Sequence, residues 1–524
     1  MKIKLLVITL TLSLAIIANA QEAEIAWGVQ SKAGSSNCSY IPLGWLNNNY
    51  YAVQIDGNDG FLMNVDSKMD LAGQTELITG GKKFEADVIL MRKGKITVIS
   101  SDYDGGEKTN SVRGTTFTKD GKPVGTKMQR IADIKVEKNS ENTDVQYFFS
   151  SDSSKMMVFM EHNVKAGEMG KMSIIVIKTD DFTEVWSTQT TFDYDDSDIQ
   201  LISAAVEKNG DVMLLALVKG DDGKKLQRYS TLAFSYTGTS GKYAEKILNL
   251  DGKFISSGRI KFINDQKILI TGFYNDLTEK GKDEGIEGSF LAIADPNNLD
   301  DIDLHIKKME PVTKMSITRT GALAKFFDND ELNAYDIRDI KMHADGSGYV
   351  IAEQRYMYQH QEGNIMQRSY YFNHLILYRF DENQEITWIS TIPKVQTTTI
   401  STPVFGLGPL SFWYFSGSMV RLAYKYNSFV STEKDGVIYV LYNDHKDNGD
   451  ARSLKETKTM ANKNKALATV AAVDANGKWE KTPLFRGKDL EVILETSSSF
   501  TIDGIGFTIS AERGKNLQYG KLEF

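Results

Sequence analysis

Short apolar runs separated by polar turns recur along nearly the whole chain. Leu201 to Val218 is interrupted at Glu207-Lys208-Asn209-Gly210, and Val145 to Glu161 at Ser151-Asp152-Ser153-Ser154. Val88 to Ser100 turns at Lys93-Gly94, Ile260 to Tyr274 at Asn264-Asp265, and Ile337 to Glu353 at Asp345-Gly346. Gly and Asn tolerate the positive φ angles of a tight hairpin, so each segment reads as strand, turn, strand. Helical periodicity is nearly absent, which argues against α/β folds with parallel sheets.

Strand groups begin near Tyr40, Val88, Val145, Ile199, Ile260, Ile337, Ile438 and Val492. A spacing of about 50 to 60 residues is what four strands per unit require, and it predicts an all-β fold: a β-propeller of about eight (seven to eight) four-stranded blades. Stacked β-sandwiches are the alternative. A single compact core becomes awkward beyond roughly 250 residues, and a repeating architecture avoids that limit. No Pro/Gly/Ser-rich linker divides the chain, so residues 21–524 read as one propeller domain. The last unit, Val492 to Phe524, has room for three strands, whereas Glu24-Ile25-Ala26-Trp27-Gly28-Val29 has no hairpin partner nearby. Ile25 to Val29 is therefore expected to supply the missing strand and close the ring, leaving few open sheet edges.

The first twenty residues stand apart from this pattern. Lys2 and Lys4 precede an apolar run from Leu5 to Ile17 that ends in Ala18-Asn19-Ala20. This is the order of a Sec-type signal peptide with cleavage after Ala20, and the run is short for a membrane span. A secreted or periplasmic protein without a membrane span after signal removal is expected. Cys38 is the only cysteine, so no internal disulfide forms and stability rests on packing and strand pairing. Asn37-Cys38-Ser39 fits a glycosylation sequon, but the bacterial look of the export signal favours a buried, inert thiol. The chain carries net charge −8, of which Lys2 and Lys4 contribute +2, leaving −10 after cleavage. An acidic chain with no basic stripe is a poor nucleic-acid binder.

Two insertions depart from the strand pattern. Thr397 to Ser418 holds Val404-Phe405-Gly406-Leu407-Gly408-Pro409-Leu410-Ser411-Phe412-Trp413-Tyr414-Phe415, aromatic and without alternation. Asp447 to Lys465, rich in Lys, Asn and Asp, reads as a solvated loop.

Several words in the second half carry a resemblance. They include Thr271-Gly272-Phe273-Tyr274, Gly285-Ile286-Glu287-Gly288-Ser289-Phe290, Gly348-Tyr349-Val350-Ile351-Ala352-Glu353-Gln354-Arg355-Tyr356 and Tyr371-Phe372-Asn373-His374-Leu375-Ile376. Ile386-Thr387-Trp388, Ile392-Pro393-Lys394-Val395-Gln396 and Tyr442-Asn443-Asp444-His445-Lys446-Asp447-Asn448 continue the series. Over roughly Ile260 to Asn448 the chain resembles secreted, propeller-like proteins of the bacterial phylum Bacteroidota, for which no activity is established. The resemblance implies a propeller and an exported protein. Related sequences often have Asp where this chain has His374, so it implies no acidic role there. On physical grounds these words read as structure. Asp381 to Glu385 is a polar turn, Trp388 fills the space between blades, and Pro393 ends a strand because it lacks an amide donor.

No spacing among His162, His305, His343, His360, His374 and His445 suits a transition metal, and no cofactor motif is present. The acidic groups at Asp56 to Gly60, Asp193 to Asp198 and Asp328 to Glu331 lack the closing glutamate of an EF-hand and read as turns. Gly-x-Ser-x-Gly and the phosphate-cradling glycine motifs are also missing. Glycosidic chemistry needs only two carboxylates in a cleft, for which Glu353, Arg355, His374, Asp444 and His445 are the candidates to converge near one rim. The bland alternative is that they satisfy strand-end hydrogen bonds. The expected function is an exported, non-enzymatic propeller, a monomer that binds protein or glycan as a binding or scaffold module. Phe405, Phe412, Trp413 and Tyr414 are its candidate partner-binding residues, because aromatics with few charges suit the dry centre of an interface. The competing reading packs that segment over a blade, and the alternative function is a polysaccharide-degrading enzyme, a hydrolase or lyase with a carboxylate site at the ring centre.

Overall fold

A computed structural model describes residues 24–35, 38–79, 84–220, 228–236, 243–248, 253–264, 267–275, 286–317, 335–362, 365–403 and 424–524. Among these residues the strands form eight antiparallel sheets, numbered here in chain order. Sheets 1 to 7 occupy 39–76, 88–135, 146–195, 199–247, 254–308, 335–403 and 430–486. Each is a meander in which consecutive strands pair, as in a propeller blade. The predicted turns at 93–94, 151–154, 207–210 and 345–346 are present, and Asp265 of the fifth lies outside the described residues. Lys93 and Gly94, with φ of 50° and 74°, join Val88–Arg92 to Lys95–Asp104 in the two-residue geometry that matches strand twist.

The second strands explain the continuous apolar runs of the sequence. Successive side chains of a strand point to opposite faces, and here both faces are covered. In Lys155–His162, Met157 and Phe159 pack towards sheet 4, whereas Met156, Val158 and Met160 pack towards sheet 2. In Val212–Gly220, Leu214 and Ala216 face sheet 3, and Met213 and Leu215 face sheet 5. Outer strands lack this double cover, and Leu71–Glu76 is mostly exposed. Each sheet thus shares one hydrophobic cluster with the next, from sheets 1 and 2 to sheets 6 and 7. First strands also lie against first strands, as Ile199–Val206 does against Phe254–Asn264 and Phe254–Asn264 against Tyr335–Met342.

Sheet 8 is assembled from both ends of the chain. Its first position is split into Ile493–Leu494 and Phe500–Ile502, followed by Gly506–Arg513 and Asn516–Glu523. The fourth position is filled by Ile25–Trp27 and Ser31–Lys32, with Ile25 opposite Leu522 and Trp27 opposite Gly520. A side chain at Gly520 would meet Trp27 and Ile25 at 2.7 and 2.8 Å, so glycine leaves the room that the incoming strand uses. Trp27 then packs edge-on against Phe485 of sheet 7, with ring centroids 5.2 Å apart. Sheet 8 shares cores with sheet 7, through Leu441, Val470, Phe507 and Ile509, and with sheet 1, through Tyr50, Ala52, Leu517 and Tyr519. Val29 does not continue the strand face. The chain turns after Gly28, Val29 donates its amide to Asp70 at 2.6 Å, and its side chain is exposed.

Three other expectations change. Sheet 7 begins with the polar strand Val430–Lys434, so the run at Ile438 is its second strand, Val437–His445. Gln396–Pro403 extends sheet 6, pairing with the end of the hairpin formed by Gly348–Glu362 and Ile365–Phe380. The polar loop at 447–465 is anchored: Asn448, Ala451, Leu454 and Met460 are buried, and Leu454 joins the core between sheets 5 and 6. Its charged residues had concealed these four contacts. No described helix is long and apolar enough to cross a membrane.

Candidate functional site

Two groups of charged residues inside this fold, at opposite ends of the sheets, bear on function. The first is a buried belt at the end where second and fourth strands finish. Glu353 lies on the second strand of sheet 6, beside a register shift between Glu353 and Arg355, and is fully buried. One carboxylate oxygen accepts from Lys394 Nζ at 2.6 Å and the other from Ser428 Oγ at 2.7 Å. Lys394, also fully buried, donates to Gln396 Oε1 at 3.0 Å, and Gln396 Nε2 reaches the carbonyl of Asn443 in sheet 7 at 2.7 Å. Burial holds the Lys394 pKa below the usual lysine value, despite the opposing pull of Glu353. Asp444 of sheet 7 accepts from Lys481 Nζ at 3.0 Å and Asn448 Nδ2 at 2.6 Å, while Lys481 also donates to the Pro393 carbonyl of sheet 6.

The belt continues into sheets 8 and 1. Lys425 Nζ lies 2.9 Å from Glu495 and donates to both oxygens of Glu512 at 3.0 Å and to the Cys38 carbonyl at 3.0 Å. Burial opposes the Lys425 charge, but the two carboxylates outweigh it and raise its pKa. Two acids on one lysine leave a negative excess, and burial pushes the Glu495 carboxyl up to about 7. Cys38 is buried, as expected, and burial raises its thiol to about 11, which keeps it protonated and unreactive.

The five convergence candidates do not form one group, although Arg355 Nε lies 4.0 Å from Glu353. Glu353 and Asp444 share the belt, each held by a lysine. Arg355 pairs with Asp336 at 2.5 Å and covers the Tyr424 ring. His374 is buried against Tyr335, and His445 is half-buried near Asp447. No open pair of facing carboxylates results among these residues. Trp388 fills the space between sheets 6 and 7, its indole donating to Ala475 at 2.8 Å. Phe405, Phe412, Trp413 and Tyr414 lie outside the described residues, as do residues 1–20. What is described are the roots of that insertion, Pro403 paired with Ile365 on one side and Tyr424 and Lys425 on the other.

The second setting is a cavity of about 370 Å³ between first strands, nearer the turns that end them. First strands of four consecutive sheets line it: Tyr147 to Phe149 from sheet 3, Ala204 to Glu207 from sheet 4, Arg259 to Phe262 from sheet 5, and Arg338 to Ile340 from sheet 6. First strands are sheet edges, so their outer backbone groups need partners from outside the ladder. Side chains of neighbouring sheets provide them. Ser203 Oγ accepts the Ile260 amide at 3.0 Å, and Thr501 Oγ1 donates to the Ser431 carbonyl at 2.6 Å. Arg259 Nη1 and Lys261 Nζ do the same for the carbonyls of Ile337, at 2.5 Å, and Ile340, at 2.6 Å. Arg259 stays accessible to solvent although protein surrounds it, and this crowding lowers both pKa values. Sequence reasoning missed these two residues, because a lone Arg-Ile-Lys in a strand gives no sign that it faces a cavity.

No family model matches the chain, and no curated protein matches its sequence. Among solved structures it is similar to the WD40 domain of SCAP from fission yeast, at 9% identity and TM-score 0.32, covering 96% of each chain. It is similar to the β-propeller domain of the Trilobed protease from Pyrococcus furiosus, at 9% identity and TM-score 0.33, covering 89% of this chain and 98% of that one. A polysaccharide lyase matches at 11% identity and TM-score 0.33, covering 86% and 92%. At such scores nothing of their activities transfers, and the propeller arrangement rests on the sheet order and shared cores described above.

Proposed function

We propose that this chain is an exported binding propeller whose ligand, a glycan segment, enters the cavity between sheets 3 and 6. The observation that carries this reading is the cavity itself. It is within the size range of ligand pockets, walled by four separate strands, and combines an aromatic side with a polar, cationic one. Export is supported by the leader pattern of Lys2, Lys4, Leu5 to Ile17 and Ala18-Asn19-Ala20. The hydrolase form of the enzyme alternative requires two open carboxylates, and the described carboxylates support binding over that form. In the cavity Glu207 is buried and Asp339 is engaged by Ser431 Oγ at 2.7 Å, while Glu353 and Asp444 are locked in the belt.

The test is a glycan panel presented to purified residues 21–524 and to an Ala205→Phe variant that narrows the cavity. Capture by the parent and at least about tenfold weaker capture by the variant, with an unchanged melting temperature, is the expected result. Equal capture by both would place the site elsewhere, and glycan cleavage by the parent would revive the enzyme reading.

A further inference from the structure

The cavity has a chemical preference written in its edge caps. Two other first-strand backbone groups are capped by neutral hydroxyls: the Ile260 amide, itself at the cavity, by Ser203, and the Ser431 carbonyl of sheet 7 by Thr501. Only a single donor is needed for that task. For the Ile337 and Ile340 carbonyls the same task falls to a guanidinium and an ammonium, each of which uses one donor on a carbonyl and forms no ion pair among the described residues. Their neighbours on sheet 6 behave differently: Arg338 lies 3.2 Å from Asp336, and Lys341 lies 3.0 Å from Asp503. Crowding by protein opposes the charge on both Arg259 and Lys261. A capped carbonyl alone does not require that cost, because a Gln or Ser would serve.

Arg259 and Lys261 are two positions apart on one strand, so their side chains emerge on the same face about 7 Å apart at the backbone. Both reach towards sheet 6 and line the cavity, with spare N–H donors. A guanidinium fork beside an ammonium suits an oxyanion, which accepts several charge-assisted hydrogen bonds at once. Across the cavity stand Tyr147, Phe148 and Phe149, which offer an apolar wall to the rest of a ligand. The geometry points to an anionic group, a carboxylate or a sulfate carried on a sugar-sized body, as what the cavity holds, with Arg259 and Lys261 as its receptors. This inference rests on the reading of the cavity as the binding site.

The experiment is calorimetric titration of residues 21–524 with sodium glucuronate, glucose 6-sulfate, inorganic sulfate and glucose. Saturable binding of one of the anionic sugars, absent for glucose and weakened by raising salt, is expected. If glucuronate alone binds, the group is a carboxylate; if the sulfated sugar or inorganic sulfate binds as well, it is a general oxyanion site. Arg259→Gln with Lys261→Gln should weaken that binding at least about tenfold, and Arg259→Lys should lose less, since it keeps the charge. Melting curves show that each variant is folded. Binding of glucose equal to that of the anions, binding untouched by the double substitution, or no binding of any anionic probe would each overturn the inference. A neutral glycan whose capture is sensitive to Ala205→Phe but not to the Gln substitutions would leave the cavity as the binding site and remove only its anion preference.

Discussion

The belt and the cavity place similar side chains in opposite circumstances. In the belt Lys394, Lys425 and Lys481 each face a carboxylate at 2.6 to 3.0 Å and are sealed from water. In the cavity Arg259 and Lys261 hydrogen-bond only to peptide carbonyls and remain reachable, with the Asp339 carboxylate near them but in no ion pair with either. Charge that is buried and paired holds four sheets in register, because removing either partner leaves an uncompensated ion. Charge that is reachable and lacks a counter-ion is available to something that arrives. Glu353 and Asp444, the acids that drew attention in the sequence, belong to the first kind.

The largest effect should come from breaking one belt pair. Lys394→Met leaves Glu353 buried without its cation and should cost about 3 to 5 kcal/mol, seen as a fall in the denaturation midpoint. Adding Glu353→Met should recover most of that loss, and a neutral single variant would remove the structural role assigned to the belt. A second, smaller effect is pH dependence. The Glu495 carboxyl sits near 7 in the fold against 4.5 for an ordinary glutamate, so the folded state holds its proton more tightly. Stability from this group is therefore present below pH 4.5 and is lost as pH rises towards 7, by up to about 1.4 kcal/mol per pH unit. Glu495→Gln should flatten that fall in melting curves between pH 5 and 8. Glu161, raised by burial to about 7 as well, accounts for a residual slope. The smallest effect belongs to the cavity: Arg259→Gln and Lys261→Gln should each change stability by about 1 kcal/mol or less, since each loses one cap on a partly wet edge. Unfolding by either would make them belt-like and sharpen the comparison against a binding role.

How much of this was legible follows from the physics of strands. The alternation and turns of Val145 to Glu161 and Leu201 to Val218 announce hairpins because they are local, and the unpaired Ile25 to Val29 announces the docking of its first three residues because an edge demands a partner. Val430–Lys434 was illegible because a first strand can be polar, its burial being set by neighbours far away in the chain. The same holds for the belt. Nothing near Lys394 or Lys425 tells that their partners are Glu353 and Glu512, 41 and 87 positions away. Arg259 and Lys261 carry no local sign either, since only the arrangement of four sheets gives them a common cavity.

The joining of both ends in sheet 8 also constrains how the molecule comes into being. Gln518 donates to the carbonyl of Gly28, 490 positions away, so the first described strand cannot be seated until the last ones exist. Sheets 1 to 7 can each form from neighbouring residues, whereas this one contact must wait for synthesis through residue 523. Such late, distant pairing is slow and leaves the strand Asn516–Glu523 with an open edge until Ile25–Trp27 arrives. The first described strand is thus the latch fitted last, covering a side of the eighth sheet that stays open until it arrives.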